Sequence, residues 1–366
     1  MKALAIGGAM IDTIAIIDSD RIEKMSMTNA DSAYLLLESG RKIDAREVSM
    51  HTGGGAINAA VAMARLGLNV SVLSKLGKDD RAAAIVNRLR AEKIDTSVLI
   101  YSDSHPTGAS VLIASHDKDA AIFTYRGANS HLVDADIEGT PFDAELIYIA
   151  PLSDGSADTF PLIIDRAKNS GAFLAVNPGI RQLSARGSVF RRMLPNIDVL
   201  ILNRREAEGL LPLLIAEFGN SDIELEPDSD APPPRLLASG LSGGGYDVSL
   251  ARFLTAILQS GTKTIAITDS INGSYVAAGD AITYCPSLSG VVAGTAGAGD
   301  AFGATLSSEL AAGAGTRDAL KRATANASSV VSHVDTQTGL QDRIALLASV
   351  AERSGDLKLQ QWTFQR

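Results

Sequence analysis

The chain has 366 residues, 46% of them hydrophobic and 20% charged, an ordinary globular composition with ample length to bury a core. The formal net charge is −9, and no Lys/Arg run is dense enough to mark a nucleic-acid or polybasic membrane surface, so neither is expected as a partner. Cys285 is the single cysteine, which excludes an intrachain disulfide and suits a reducing, cytoplasmic location.

In chain order, the opening stretch MKALAIGGAMIDTIAIID carries Asp12 and Asp18, lacks a small-residue cleavage site, and is read as a buried strand rather than a leader or membrane span. Continuous apolar or β-branched runs at 3–6, 70–73, 146–149, 173–176, 199–202 and 264–267 predict strands covered on both faces. Amphipathic stretches predict helices near 56–66, 79–93, 156–169, 204–214, 248–259, 298–312, 317–334 and 340–353. Strand and helix alternate, which predicts an α/β fold with a mainly parallel sheet and helices on both faces. Two regions break the rhythm. Residues 13–50 read as strands of a small separate sheet, and residues 216–246 turn acidic, then Pro-rich, then Gly/Ser-rich, as a flexible insertion would.

Five segments carry chemistry. In GTAGAGDAFGATL (294–306), Phe302, Leu306 and Leu310 recur on one helical face, with Gly313 as a stop. Gly297 and Gly299 then sit at a helix start, where unpaired N–H groups and the positive dipole end suit an anion. On local pattern alone, Asp300 also reads as an ordinary helix-start carboxylate. In HTGGGAINAAVAMARLG (51–67), three glycines precede a helix with Asn58 in its first turn; tight helix-on-sheet packing is the competing reading. A dinucleotide fingerprint fails there, because Asn58 stands where a third glycine is required. Asp12 follows the first strand, Asn203 and Glu206 follow strand 199–202, where a solvated helix start with Glu in its first turn is an equal competing reading, and ITDSING (267–273) forms a turn after another strand. In a parallel sheet these strand ends share one edge, so the five loops are expected to converge. The five histidines make no metal-spaced pair.

Together the segments resemble the ribokinase-like sugar and nucleoside kinases of the PfkB family. GTAGAGDAFGA is similar to the family's D-T-x-G-A-G-D-x-F motif, and HTGGGAINAA to its G-G-x-x-x-N-x-A motif. Asp12, five residues after Gly7, matches the early aspartate, and Asn203 with Glu206 match N-x-x-E. The resemblance implies Asp300 as catalytic base, with Gly297, Ala298 and Gly299 as the anion hole. It implies Asp12, Gly53, Gly54 and Asn58 as substrate contacts, and Thr268, Gly273 and Asn326 as nucleotide contacts. Asn203 and Glu206 would position Mg²⁺, largely through water, with ATP as donor. It further implies a core of 1–12, 51–106 and 127–366, a lid sheet of 13–50 and 107–126, and a homodimer through that lid. The activity implied is phosphorylation of an alcohol group on a sugar. A nucleoside kinase, with Phe123 and Tyr125 stacking on a base, and a non-catalytic sugar-binding relative are the alternatives.

The sequence departs from the family at four points. Gly294 stands where an aspartate helps hold a monovalent cation, so weak or absent K⁺ dependence is expected. Gly55 replaces a lysine, and Pro151 and Leu152 occupy the region of a glutamate, so ribose loses two expected contacts. Ser270 replaces a glycine of the nucleotide turn.

Overall fold

The computed structural model describes residues 1–18, 23–26, 33–36, 40, 42–115, 120–218 and 223–364. Parts of the expected lid (19–22, 27–32, 37–39, 41 and 116–119) and of the expected insertion (219–222) lie outside the described residues. All six expected strands form and run parallel, in the order Asn69–Leu73, Lys2–Ile6, Leu146–Ile149, Phe173–Val176, Val199–Asn203, Thr264–Thr268. Four antiparallel strands continue the sheet past Thr264–Thr268: Ser274–Ala278, Ala281–Cys285, Gln360–Phe364 and Leu225–Pro227.

Alternation along each strand decides which helical layer a side chain meets. On Lys2–Ile6, Ala3 and Ala5 turn to one core, Leu4 and Ile6 to the other. The first core is closed by helices Gly55–Arg65, Ala298–Ala311 and Thr316–Val331. Its small residues, among them Ala56, Ala59, Ala60, Ala301 and Ala304, let these helices lie close to the sheet and to each other. The second core is closed by Phe160–Ser170, Ile180–Met193, Arg204–Leu214 and Leu250–Gln259. Strand Leu146–Ile149 is buried throughout, and each such Leu or Ile contributes roughly 1.5–3 kcal/mol relative to exposure.

Helix Ala298–Ala311 differs from its expected one-sided stripe. Residues 301 to 309 are all buried, the signature of a helix enclosed on every side. Its one buried charge, Glu309, is answered by Arg322 and Arg343 at 2.5 and 2.9 Å. Helix Ile180–Met193 was not expected. Its sequence contains Gly187 and it kinks at Arg186, which blurs the periodicity; Gly187 is there because Leu213 fills the space a Cβ would need.

A second sheet of four strands, in the order Ala120–Tyr125, Gly108–Ser115, Met10–Ile17, Glu47–Gly53, stands apart from the first. Met10–Ile17 and Glu47–Gly53 run across the borders drawn at 12 and 51, so Asp12 and Gly53 belong to this sheet. The described part of 216–246 is built into the fold. It supplies the edge strand Leu225–Pro227, helix Arg235–Ser239 and the hairpin of Leu241–Gly243 with Tyr246–Val248. Leu236 and Leu241 are buried in the second core, and the Leu236 N–H donates to the Tyr275 hydroxyl at 3.0 Å. No helix among the described residues is long and apolar enough to cross a membrane.

Candidate functional site

The carboxylate of Asp300 lies in the first turn of Ala298–Ala311, half-buried. Its Oδ2 accepts from Asn58 Nδ2 at 2.8 Å. Asn58 is itself fixed, since its Oδ1 accepts from Thr336 Oγ1 at 2.8 Å and from Gln337 Nε2 at 3.1 Å. Gln337 Nε2 also donates to the Thr52 carbonyl at 2.8 Å, which ties this cluster to the second sheet. Asn58 is thereby 4% exposed, and its visible task is to hold Asp300. Desolvation pushes Asp300 up to about 6; the Asn58 bond opposes this and the negative charge of Asp12 adds to it.

Asp12 sits on a register row of the second sheet that runs His51, Asp12, Ser110, Thr124. Its Oδ1 accepts from the Ser110 hydroxyl. Desolvation raises the Asp12 carboxyl, against the Ser110 bond and the charge of His51. The glycines fit around these acids. A Cβ on Gly53 would fall on the Asp12 carboxylate, and one on Gly55 would lie 2.9 Å from Ala150 Cβ and 3.4 Å from Asp300 Oδ1. Gly54 has φ +98° and backs onto the Gly8–Ala9 backbone, a conformation and a clearance that favour glycine. Phe123 and Tyr125 share rows with Val111 and Ala109, so alternation turns them to the face opposite Asp12 and Ser110.

Gly297 caps the helix with φ +79°, and a Cβ there would meet Thr336 at 2.6 Å, so packing already demands glycine. Gly299 faces open space. The N–H groups of Ala298, Gly299 and Asp300 have no partner within the helix, by the geometry of any helix start. At the neighbouring strand end, Asn203 and Glu206 form a reciprocal cap: Glu206 N–H donates to Asn203 Oδ1 at 3.0 Å, and Asn203 N–H to Glu206 Oε2 at 2.9 Å. Burial lifts Glu206 to about 7; both contacts with Asn203 oppose this and Asp300 adds to it. Tyr148, fully buried, has a hydroxyl without a partner among the described residues, and it is raised by burial, then by Asp300 and Glu206. Asp300 thus feels the charge of Asp12, and Glu206 that of Asp300, so Asp300 lies between the other two acids.

Thr268 is the register partner of Asn203 and also sits at this edge. Gly273, with φ +91°, turns the chain tightly beneath Tyr284 and Cys285. The structure does not bring Asn326 there. It is fully buried, its Nδ2 donating to Thr305 Oγ1 at 2.8 Å and its Oδ1 accepting from Gln341 N–H at 3.0 Å, a clamp between helices.

A cavity of ≈ 270 Å³ opens beside Asp300, lined also by Gly7, Gly8, Gly55, Pro151 and Leu152. It is also lined by residues that sequence reasoning missed: Lys75, Arg126, Asn129, Ser153 and Ser156. Asn129 locks both polar atoms of the Ala9 backbone, at 3.0 and 2.7 Å, which fixes the chain just before Asp12. The only sequence signal was the turn RGANS after an aromatic strand; Gly127 has φ +52° there.

The sequence model of the pfkB family of carbohydrate kinases matches residues 19–343. The chain belongs to the PfkB family of carbohydrate kinases. Ribokinase of Haemophilus influenzae is 26% identical over 262 residues, which span 68% of this chain and 82% of that protein. The structure of ribokinase from Thermotoga maritima superposes with TM-score 0.69 at 17% identity, covering 96% of this chain and 99% of that one. A nucleoside kinase from Burkholderia thailandensis, in complex with inosine, gives TM-score 0.69 at 16% identity, covering 97% and 100%. The kinase thus has the ribokinase fold, and the PfkB carbohydrate kinases are phosphotransferases acting on sugars and nucleosides.

Proposed function

We propose that the kinase transfers the γ-phosphoryl group of ATP to an alcohol of a sugar or sugar-like substrate, with Asp300 as general base. The observation that carries this reading is Asp300 held by Asn58 at a helix start that faces open space. An alcohol is a poor nucleophile until its proton has somewhere to go. As the alcohol oxygen bonds to phosphorus, its proton passes to the Asp300 carboxylate and the bond from phosphorus to the ADP oxygen breaks. Phosphoryl transfer needs positioning and charge stabilisation more than covalent help. The free N–H groups of Ala298, Gly299 and Asp300 can supply that stabilisation without reorganising. Asp12, beside Gly53 and Gly54, is placed to accept from substrate hydroxyls.

The donor set at Asn203 and Glu206 consists of hard oxygens, and among the described residues the buried Glu206 carboxylate has no cationic partner, so the residues fit Mg²⁺. When bound, Mg²⁺ would neutralise phosphate charge there. Gly294 supplies no carboxylate for a monovalent cation. A sugar is favoured over a nucleoside because Phe123 and Tyr125 lie on the face away from Asp12. That same face exposes Val48, Met50, Val111, Phe123 and Tyr125, and we assign it to a homodimer contact. Replacement of Asp300 tests the core of the reading: Asp300→Asn lowers kcat for ATP-dependent phosphorylation by at least ~10²-fold, the low end for loss of a general base. Wild-type turnover in that variant would remove Asp300 from the chemistry.

A further inference from the structure

A second cavity, of ≈ 500 Å³, opens between strands Ser274–Ala278, Ala281–Cys285 and Gln360–Phe364 and the first turn of helix Thr316–Val331. It lies at the Ala278 end of its first strand, roughly 15 Å along from the turn at Gly273. Its polar groups are short of partners. Thr283 lines the cavity and is 4% exposed, yet among the described residues its hydroxyl makes no hydrogen bond. Thr283 shares a register row with Val276 and Gln361, on the face that helix Thr316–Val331 covers, so its side chain turns toward that helix. The helix begins at Gly315 with no side-chain cap, and the N–H groups of Thr316, Arg317 and Asp318 have no partner within it. Lys321, half-buried in the next turn, has no carboxylate within 4 Å among the described residues. Its charge reaches the Cys285 thiol, but burial pushes that thiol up to about 11, so it is neutral at pH 7 and supplies no counter-charge. Arg317 donates through Nη1 to Gln361 Oε1 at 2.8 Å, which holds the guanidinium at the cavity and leaves its charge uncancelled. Asp318 also lines the cavity; it is exposed, where water and salt screen it. An uncapped helix start flanked by two cations attracts a compact anion.

We infer that this cavity is a second ligand site, separate from the one beside Asp300, and that it takes a phosphate group, free or as the ester of a small metabolite. The phosphate oxygens accept from the N–H groups of the helix start, from Lys321 Nζ and from the Thr283 hydroxyl. A phosphate has enough oxygens to meet these three kinds of donor at once, and Lys321 and Arg317 balance its charge. The cavity is larger than one phosphate, which leaves room for the rest of an ester. None of these residues belongs to the proposed phosphoryl-transfer machinery, so the inference stands apart from the kinase reading.

The test is calorimetric titration of the full-length enzyme, with the helix start at Gly299 occupied by a saturating non-hydrolysable ATP analogue and Mg²⁺. The probes are inorganic phosphate, glycerol 3-phosphate and ribose 5-phosphate, with glycerol and ribose as neutral counterparts. At least one phosphate-bearing probe should bind with a stoichiometry of about one, and its neutral counterpart should not. Lys321→Gln and Thr283→Val should each weaken that binding about tenfold or more, the scale of a hydrogen bond to a charged group. Lys321→Arg should retain most of it. Thr283→Val nearly keeps the side-chain shape, and an unchanged near-UV circular dichroism spectrum in both variants separates loss of the site from loss of the fold. Tighter binding of inorganic phosphate than of either ester assigns the site to the free ion, and the reverse assigns it to a phosphorylated metabolite. No binding of any phosphate-bearing probe, equal binding of a neutral counterpart, or an affinity unmoved in Lys321→Gln or in Thr283→Val overturns the inference and leaves the kinase reading standing.

Discussion

Asp300 and Glu206 are costly residues for this fold to carry. Each carboxyl titrates higher in the folded protein than in the open chain: Asp300 moves from 3.8 to about 6, and Glu206 from 4.5 to about 7. For a group raised on folding, the folded state holds the proton more tightly. Its contribution is therefore fully favourable below the unfolded value and is lost as pH rises through the folded one. Wild-type stability gains from acidification between pH 7 and pH 4 through these two groups. Replacement by the neutral amide removes the penalty above pH 7. In thermal melts, Asp300→Asn and Glu206→Gln should each unfold at higher temperature than wild type at pH 8, with the gap closing by pH 4. A gap that is unchanged between those pH values would show that the two acids are not desolvated as described. Asp300 was legible because glycines and a helix start announce it. Arg126 and Tyr148 were not, because a lone arginine after a strand and a tyrosine inside an apolar run carry no local mark. Only the folded chain sets them beside Asp300.

Elements differ in how much of themselves they reveal. The parallel strands are covered on both faces, so their apolar runs are continuous and their positions could be read directly. Helix Ile180–Met193 escaped because Gly187 and the kink at Arg186 break its pattern. The strand Gln360–Phe364 escaped because QQWTF is largely polar; it forms by pairing with Ala281–Cys285. The second sheet was legible as a departure from rhythm, yet its strands begin at Met10 and end at Gly53, which moves Asp12 and Gly53 onto it. That placement has a consequence for assembly. Met50 and Phe123 are 68% and 59% exposed on the face turned away from Asp12, more apolar surface than a strand face in water usually shows. Size-exclusion chromatography with light scattering should find a dimer, and Met50→Lys with Phe123→Lys should yield a monomer of unchanged helical content. A wild-type monomer at micromolar concentration would contradict the assignment.

At the scale of the whole molecule, the parallel sheet gathers loops from distant stretches of chain. Asn58 and Asp300 open helices and are joined by a hydrogen bond, Glu206 follows a strand of the parallel sheet, and Asp12 comes from a strand of the second sheet. The sequence order of motifs was enough to anticipate this meeting. It was not enough to anticipate the cations on the cavity they border, since Arg126 follows Ala120–Tyr125 and Lys75 comes from strand Lys75–Gly77. Asn326, which the family resemblance offered as a nucleotide contact, lies fully buried and hydrogen-bonded within the helix layer. The loop that begins at Gly294 bears on ion dependence. Its N–H donates to the Val331 carbonyl at 3.3 Å, and it presents no carboxylate to a cation. Exchange of Na⁺ for K⁺ at constant ionic strength should change kcat less than about twofold, a difference below 0.5 kcal/mol in barrier. A steep activation by K⁺ would mean that backbone carbonyls alone build the site.

The central claim is that Asp300 takes the alcohol proton, and its pH dependence exposes it most directly. In wild type, kcat/KM should fall on the acid side with a midpoint near 6, where Asp300 protonates. In Asp300→Asn the rate should be lower by at least ~10²-fold at pH 8, and that limb should vanish. The same acid limb in both proteins, at similar rates, would contradict the account.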